Sequence, residues 1–284
     1  MGCYKGNTIM TCNSNEETPA LLYEDLVPLN SSDHGTWRVR SVDNAPWLVR
    51  EHAIPLTVKE FIQAQRHFPI IFSSGENPEP LALMGLNEGV NVFVNDEGKI
   101  DSSIYIPAYV RRYPFILAKL SPEDQEPALC FDPSSDMVGD FPDGDPLFED
   151  NQPSEATKNA LTICESLEQA AQQTDAFIEE LQHHGLLMDS EVTIQQEGGE
   201  KPFIYGGFQI IDRAKLNRVR GKVLRRWNER GLLTLIYAHL FSLVLMRDIF
   251  SRQQAQQSKE EASGSEEAEV DQRLVVEANE FADG

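Results

Sequence analysis

The chain has 284 residues and a formal net charge of −22 at pH 7, with a pI near 4.6. Hydrophobic residues at 40% and charged residues at 25% suffice for a sizeable core, which excludes a wholly disordered chain. So large an acidic excess repels phosphate backbones and anionic lipid headgroups alike, which argues against nucleic acid as a partner.

Residues 1–22 are polar and read as a flexible start. They contain no apolar h-region of a secretory signal, and Gly6 stands where a myristoylation signal needs Ser or Thr. Cys3, Cys12, Cys130 and Cys164 show neither a disulfide framework nor zinc spacing, so a reducing, cytoplasmic setting is expected. The folded domain is expected over 23–253. Beyond it, 254–284 holds nine acids against two bases and reads as a disordered acidic tail.

Within the domain, Trp37 and Val39 alternate with Arg38 and Arg40 at the period of a strand, and a second strand is expected over 47–53. Thr57 with Glu60 three residues later is a capping box, opening a helix whose face carries Val58, Phe61, Ile62 and Gln65. Pro69 ends that helix ahead of a buried strand over 70–72. Two strands over 81–86 and 90–94 flank the Asn87-Glu88-Gly89 turn as part of a meander. A short helix is predicted over 107–113, with strands near 115–120 and 128–132. The stretch 132–153, crowded with Pro, Gly and acids, reads as irregular loop.

From Ser154 to His184 apolar residues recur at steps of three and four, with Ser154 as N-cap and Gly185 just past the end, which predicts one long helix. Strands over 191–196 and 203–211 joined by a hairpin turn follow, then helices over 213–220 and 222–252. The apolar run LLTLIYAHLFSLVLM at 232–246 is bounded by Arg230 and Arg247. It falls short of the roughly twenty residues a bilayer requires, so it reads as a helix buried on all sides, with no membrane span. The fold class is α+β: mostly antiparallel sheet packed with a long helix near 154–184 and C-terminal helices near 213–252.

The segment Tyr105-Ile-Pro-Ala-Tyr-Val-Arg-Arg-Tyr-Pro-Phe115 resembles the signature of the SapC family. So do the opening LVPLN at 26–30, the His52-Ala-Ile-Pro-Leu block with the later Phe68-Pro-Ile, the Leu83-Met-Gly-Leu strand and the Leu235-Ile-Tyr-Ala-His-Leu run. The resemblance spans roughly residues 23 to 250 in the family's order. It implies a protein of no settled activity, from a family named after a bacterial surface-layer-associated locus. The permease label sometimes attached to such sequences conflicts with the expectation of no spanning helix.

The same segment packs three tyrosines and two arginines into nine residues, enough for an aromatic-walled recess with a fork for carboxylate or phosphate. On a helix Tyr105, Tyr109 and Arg112 share a face with Arg111 beside them, and Tyr113 closes the group. The competing account makes the tyrosines core residues and pairs the arginines with acids. His239 joins the candidate ligand-binding set, or else is a hydrogen-bonded core histidine. No catalytic triad elbow, phosphate loop, dinucleotide fingerprint or metal-binding spacing is present, and the acids near 143–145 lack the rest of a calcium loop. The expectation is a binding or accessory module for a small molecule or protein partner, without cofactor, metal or catalytic residue. Two alternatives stand beside it: an enzyme whose site combines the Tyr/Arg segment with an exposed His239, and a surface-layer or transport-associated accessory protein.

Overall fold

The computed structural model describes residues 10–11, 21–121, 126–194 and 203–258. The expected hairpin turn at 197–200, most of residues 1–22 and most of residues 254–284 therefore lie outside the described residues.

Chain order runs β1 (Met10–Thr11), β2 (Val27–Pro28), α1 (Ser31–His34), β3 (Arg38–Val39), β4 (Ala53–Pro55), α2 (Phe61–Ala64), β5 (Ile70–Ser73) and β6 (Pro80–Leu83). Then come α3 (Ala108–Arg112), β7 (Phe115–Lys119) and β8 (Ala128–Phe131), followed by four two-residue strands: β9 (Val138–Gly139), β10 (Asp145–Pro146), β11 (Phe148–Glu149) and β12 (Gln152–Pro153). The chain continues through α4 (Glu155–His183), β13 (Leu187–Ile194), β14 (Phe203–Ile211), α5 (Arg213–Leu216), α6 (Gly221–Glu229) and α7 (Leu232–Ser242). The class is α+β, as the pattern of elements predicted.

The largest sheet has the order β13-β14-β5-β6-β4 and is antiparallel at every pairing. A second sheet, β1-β7-β8-β2, is antiparallel except where β1 joins β7. Strand β7 shows how the two hydrophobic cores are divided. Its alternate residues Ile116 and Ala118 enter the main core, while Phe115 and Leu117 face a smaller one with Phe131, Val138, Leu147 and Cys164. Both faces of the strand are covered, which is why the Phe-Ile-Leu-Ala run carries no polar alternation.

Helix α4 packs on β7 and α3, and Ser154 caps it by accepting from the Thr157 N–H at 3.3 Å. Gly185 follows at φ +61, a left-handed backbone that glycine adopts without Cβ strain. The predicted capping box is also present: the Glu60 carboxylate accepts from the Thr57 N–H at 2.9 Å, opening a 3-10 turn (Val58–Glu60) that leads into α2.

Four expectations are corrected. Residues 46–48 form a 3-10 turn where a strand was expected, because Pro46 opens the turn and lacks the N–H a ladder needs. Residues 90–94 form no strand beyond a single bridge from Val94 to Ile100. The supposed irregular stretch 132–153 holds a 3-10 turn and four short strands, because its tight turns bring two-residue segments into pairing with β3 and with each other. The C-terminal helix expected over 222–252 breaks at Gly231, whose φ of +77 reverses the chain so that α6 packs back on α7.

The apolar run is a correction of another kind. The helical stretch Leu232–Ser258 has 27 residues, since Arg247 does not end it, and by length and composition alone it is enough to cross a membrane. Nor is it buried on all sides. Ile236, Ala238, His239 and Ser242 are covered, while Tyr237, Phe241 and Val244 are 43, 66 and 71% exposed.

Candidate functional site

Helix α3 begins after Pro107, whose carbonyl accepts from the Val110 and Arg111 N–H groups. The buried Glu60 carboxylate sits at its start. Its Oε1 accepts from the Ala108 N–H at 2.6 Å and from the Tyr105 hydroxyl at 3.1 Å, while Oε2 accepts from the Thr57 hydroxyl at 2.8 Å. One carboxylate thus caps two helical segments, which is a favourable use of negative charge at helix N-termini.

The two arginines of the segment have opposite fates. Arg111 is exposed, donates from Nη2 to the Tyr105 hydroxyl at 3.2 Å and lies 5.7 Å from that ring's centroid. Arg112 is 4% exposed and turns inward beneath α4. Its guanidinium stands 4.3 Å from the Tyr109 ring centroid and 5.8 Å from that of Tyr23, with Nη1 3.9 Å from the Glu168 carboxylate. Its Nε has no hydrogen-bond partner among the described residues. A guanidinium keeps its charge at any ordinary pH, so this is a buried cation compensated by aromatic faces and one distant acid.

The surrounding groups respond to burial. Desolvation raises the Tyr23, Tyr109 and Tyr113 hydroxyls, so all three remain protonated. Burial likewise pushes the Cys164 thiol up to about 11 against the pull of Arg112, and Glu168 rises for the same reason. Tyr109 donates to the Leu21 carbonyl at 2.9 Å and Tyr23 to that of Phe115 at 2.8 Å, while Tyr113 packs against Trp47 and Tyr23. Tyr109, Arg112 and Tyr113 are therefore core residues, and Tyr105 with Arg111 is the part of the segment nearest to solvent. The single helical face expected for Tyr105, Tyr109 and Arg112 does not form, because Tyr105 precedes the helix.

His239 is not brought to this group and shares no partner with it. It sits at 0% exposure where β5 and β14 diverge after pairing at Phe72 and Gln209. Its Nε2 accepts from the Ile211 N–H at 3.1 Å, so the proton resides on Nδ1, which donates to the Ile70 carbonyl at 2.8 Å. The imidazole replaces a direct ladder bond between two splaying strands. Desolvation lowers its pKa to about 4. The enzyme alternative required His239 exposed in a cleft beside the arginines, and the buried, doubly bonded ring overturns that version.

A groove of about 640 Å³ lies between residues 92–102 and the last helical turns, with Arg252 bonded to Asp101 at 3.2 Å across it. None of the sequence-selected residues lines it. Among the described residues no group of three His, Cys, Asp or Glu side chains is placed to hold a metal ion.

What the sequence reading missed is the outward face of α7, where Tyr237 and Phe241 stack at 5.8 Å and Val244 continues the ridge one turn on. The signal was present in the spacing 237, 241, 244, which is one helical face, but an apolar face gives no sign of whether it is covered.

The fold and this segment together define an α+β protein in which the inner half of the Tyr/Arg motif, Tyr109, Arg112 and Tyr113, is built into the core. The SapC family profile matches residues 29–249. The chain belongs to the SapC family. No curated protein and no solved structure matches it.

Proposed function

We propose that this SapC-family protein is a non-catalytic accessory module that works by contact, made through the outward face of α7 and not through the Tyr/Arg segment. The observation carrying this reading is the exposure of Tyr237, Phe241 and Val244 on one face of the most apolar helix. Single exposed apolar side chains are ordinary, but a contiguous ridge of them marks a contact surface. On the other side, the groups that chemistry would draw on are already committed. His239 uses both ring nitrogens inside the sheet, Cys164 is held as a thiol, and Arg112 is enclosed.

The test is a photo-crosslinking amino acid placed singly at positions 237, 241, 244 and 111, in the protein expressed in its own host. Adducts at the three ridge positions, 237, 241 and 244, and none at 111 are expected. Adducts confined to position 111, or a turnover abolished by Arg111→Ala, would overturn the reading.

A further inference from the structure

We infer that the surface contacted by α7 is a lipid bilayer carrying anionic headgroups, on which the α5 to α7 region docks as an interfacial element. This rests on the contact-face reading above and names its partner. Its second observation is a reversal of charge. Residues 213–230 hold eight of the chain's 24 Lys and Arg residues and a single acid, Glu229, in a protein whose net charge is −22. All eight are exposed. Lys215 pairs with Asp212 at 3.8 Å and Arg226 pairs with Glu180. The other six, Arg213, Arg218, Arg220, Lys222, Arg225 and Arg230, make no ion pair with a described residue.

The placement of these charges follows from the helix faces. On α6, Trp227 is buried and Val223 and Leu224 half-buried, so the inward side is apolar and Lys222, Arg225 and Arg226 lie outward. The reversal at Gly231 then packs α6 on α7, setting the cations of α6 and its caps without an ion pair, Arg220, Lys222, Arg225 and Arg230, beside a helix with an exposed aromatic ridge. From Gly231 to Met246 the chain carries no acidic or basic residue apart from the neutral His239. Cations flanking exposed Tyr, Phe and Val side chains is the composition of an element that lies in a headgroup layer with its apolar face sunk below it.

Other occupants fit less well. A symmetric second copy would bring two sets of cations together around the shared ridge. An asymmetric one needs a matching apolar patch elsewhere, and among the described residues the remaining exposed large apolar side chains, such as Ile62, Ile163 and Ile204, stand on separate elements. The acidity of the whole chain opposes approach to an anionic surface, yet within a Debye length of about 8 to 10 Å the local cations dominate. Binding is therefore expected to be modest and strongly dependent on salt.

The full-length chain would be floated with vesicles of phosphatidylcholine alone and vesicles in which phosphatidylglycerol replaces part of it. Binding to the anionic vesicles only, released by added salt, is expected. Partitioning should weaken on the order of a hundredfold in an R220Q/K222Q/R225Q variant, at about fivefold per cation. It should also fall in an F241S/V244S variant, with an unchanged circular dichroism spectrum in each case because all five positions are exposed. Absence from anionic vesicles at low salt, or binding indifferent to both variants, overturns the lipid assignment. If that failure is accompanied by adducts to a protein at position 241 in the host, the contact-face reading survives and only the lipid is wrong. A concentration-dependent dimer abolished by F241S/V244S would likewise replace the bilayer with a second copy.

Discussion

Helices α3 and α7 exchange the roles their compositions suggest. Helix α3 carries the polar, charged segment that looks like a binding site, and it buries Tyr109, Val110 and Arg112. Helix α7 carries most of the most apolar run of the chain, and it leaves Tyr237 and Phe241, with Val244 in the 3-10 turn that follows, in solvent. A cation can be a core residue when aromatic faces and a carboxylate surround it, and an apolar helix can be a surface element when only half of it meets the sheet. Composition describes what an element could bury, whereas its neighbours decide what it does bury.

The largest expected effect separates the two arginines. Arg112→Ala should destabilise the fold by about 2 to 5 kcal/mol, because it empties the buried space beside the Tyr23 and Tyr109 rings and leaves the half-buried Glu168 without its cation. Arg111→Ala should stay within about 0.5 kcal/mol, as befits an exposed pair. Urea denaturation of both variants checks this, and equal losses would erase the distinction between the inner and outer halves of the segment.

His239 contributes the next effect, through pH. Its folded pKa of about 4 lies below the ordinary histidine value of 6.5, so the unfolded chain takes up the proton first as pH falls. Stability from this group is complete above pH ~6.5 and is lost progressively down to pH ~4, in all about 3 kcal/mol. Burial sets the direction by penalising the charged ring, and protonation would also place a second N–H opposite the Ile211 N–H. An H239Q variant, whose amide retains one donor and one acceptor, should show a flatter acid limb over that window than the wild type. Identical limbs would remove His239 as the cause.

Ser242→Ala should cost about 1 kcal/mol in the same denaturation assay, since the hydroxyl accepts from the Ile70 N–H at 2.8 Å and donates to the His239 carbonyl at 2.7 Å. The smallest expected change is on the outer side of the same helix. Phe241→Ser should alter stability by no more than about 0.5 kcal/mol while removing contact with the partner. A large loss of stability there would mean that the ridge is covered by the protein itself.

Much of the fold was legible because local rules left little choice. Ser154 and Gly185 bound a long amphipathic run, Thr57 and Glu60 make their reciprocal cap, and the buried strand begins just after Pro69, although α2 has already ended at Ala64. The candidate site was legible only as a collection of residue types. Tyr105 and Tyr109 share a helical face only if the helix begins early enough, and it begins at Ala108. The two-residue strands within 138–153 were hidden because pairings so short leave no period to read.

By itself the sequence determined the α+β class, the long central helix and the SapC family, since these follow from periodicity, capping and ordered motifs within short windows. Tertiary structure alone decided that Arg112 turns inward, that His239 bridges Ile70 and Ile211, and that α7 keeps one face open. Each of those outcomes depends on residues more than twenty positions away, and the free energy of burying a group is set by those distant neighbours and not by its own type.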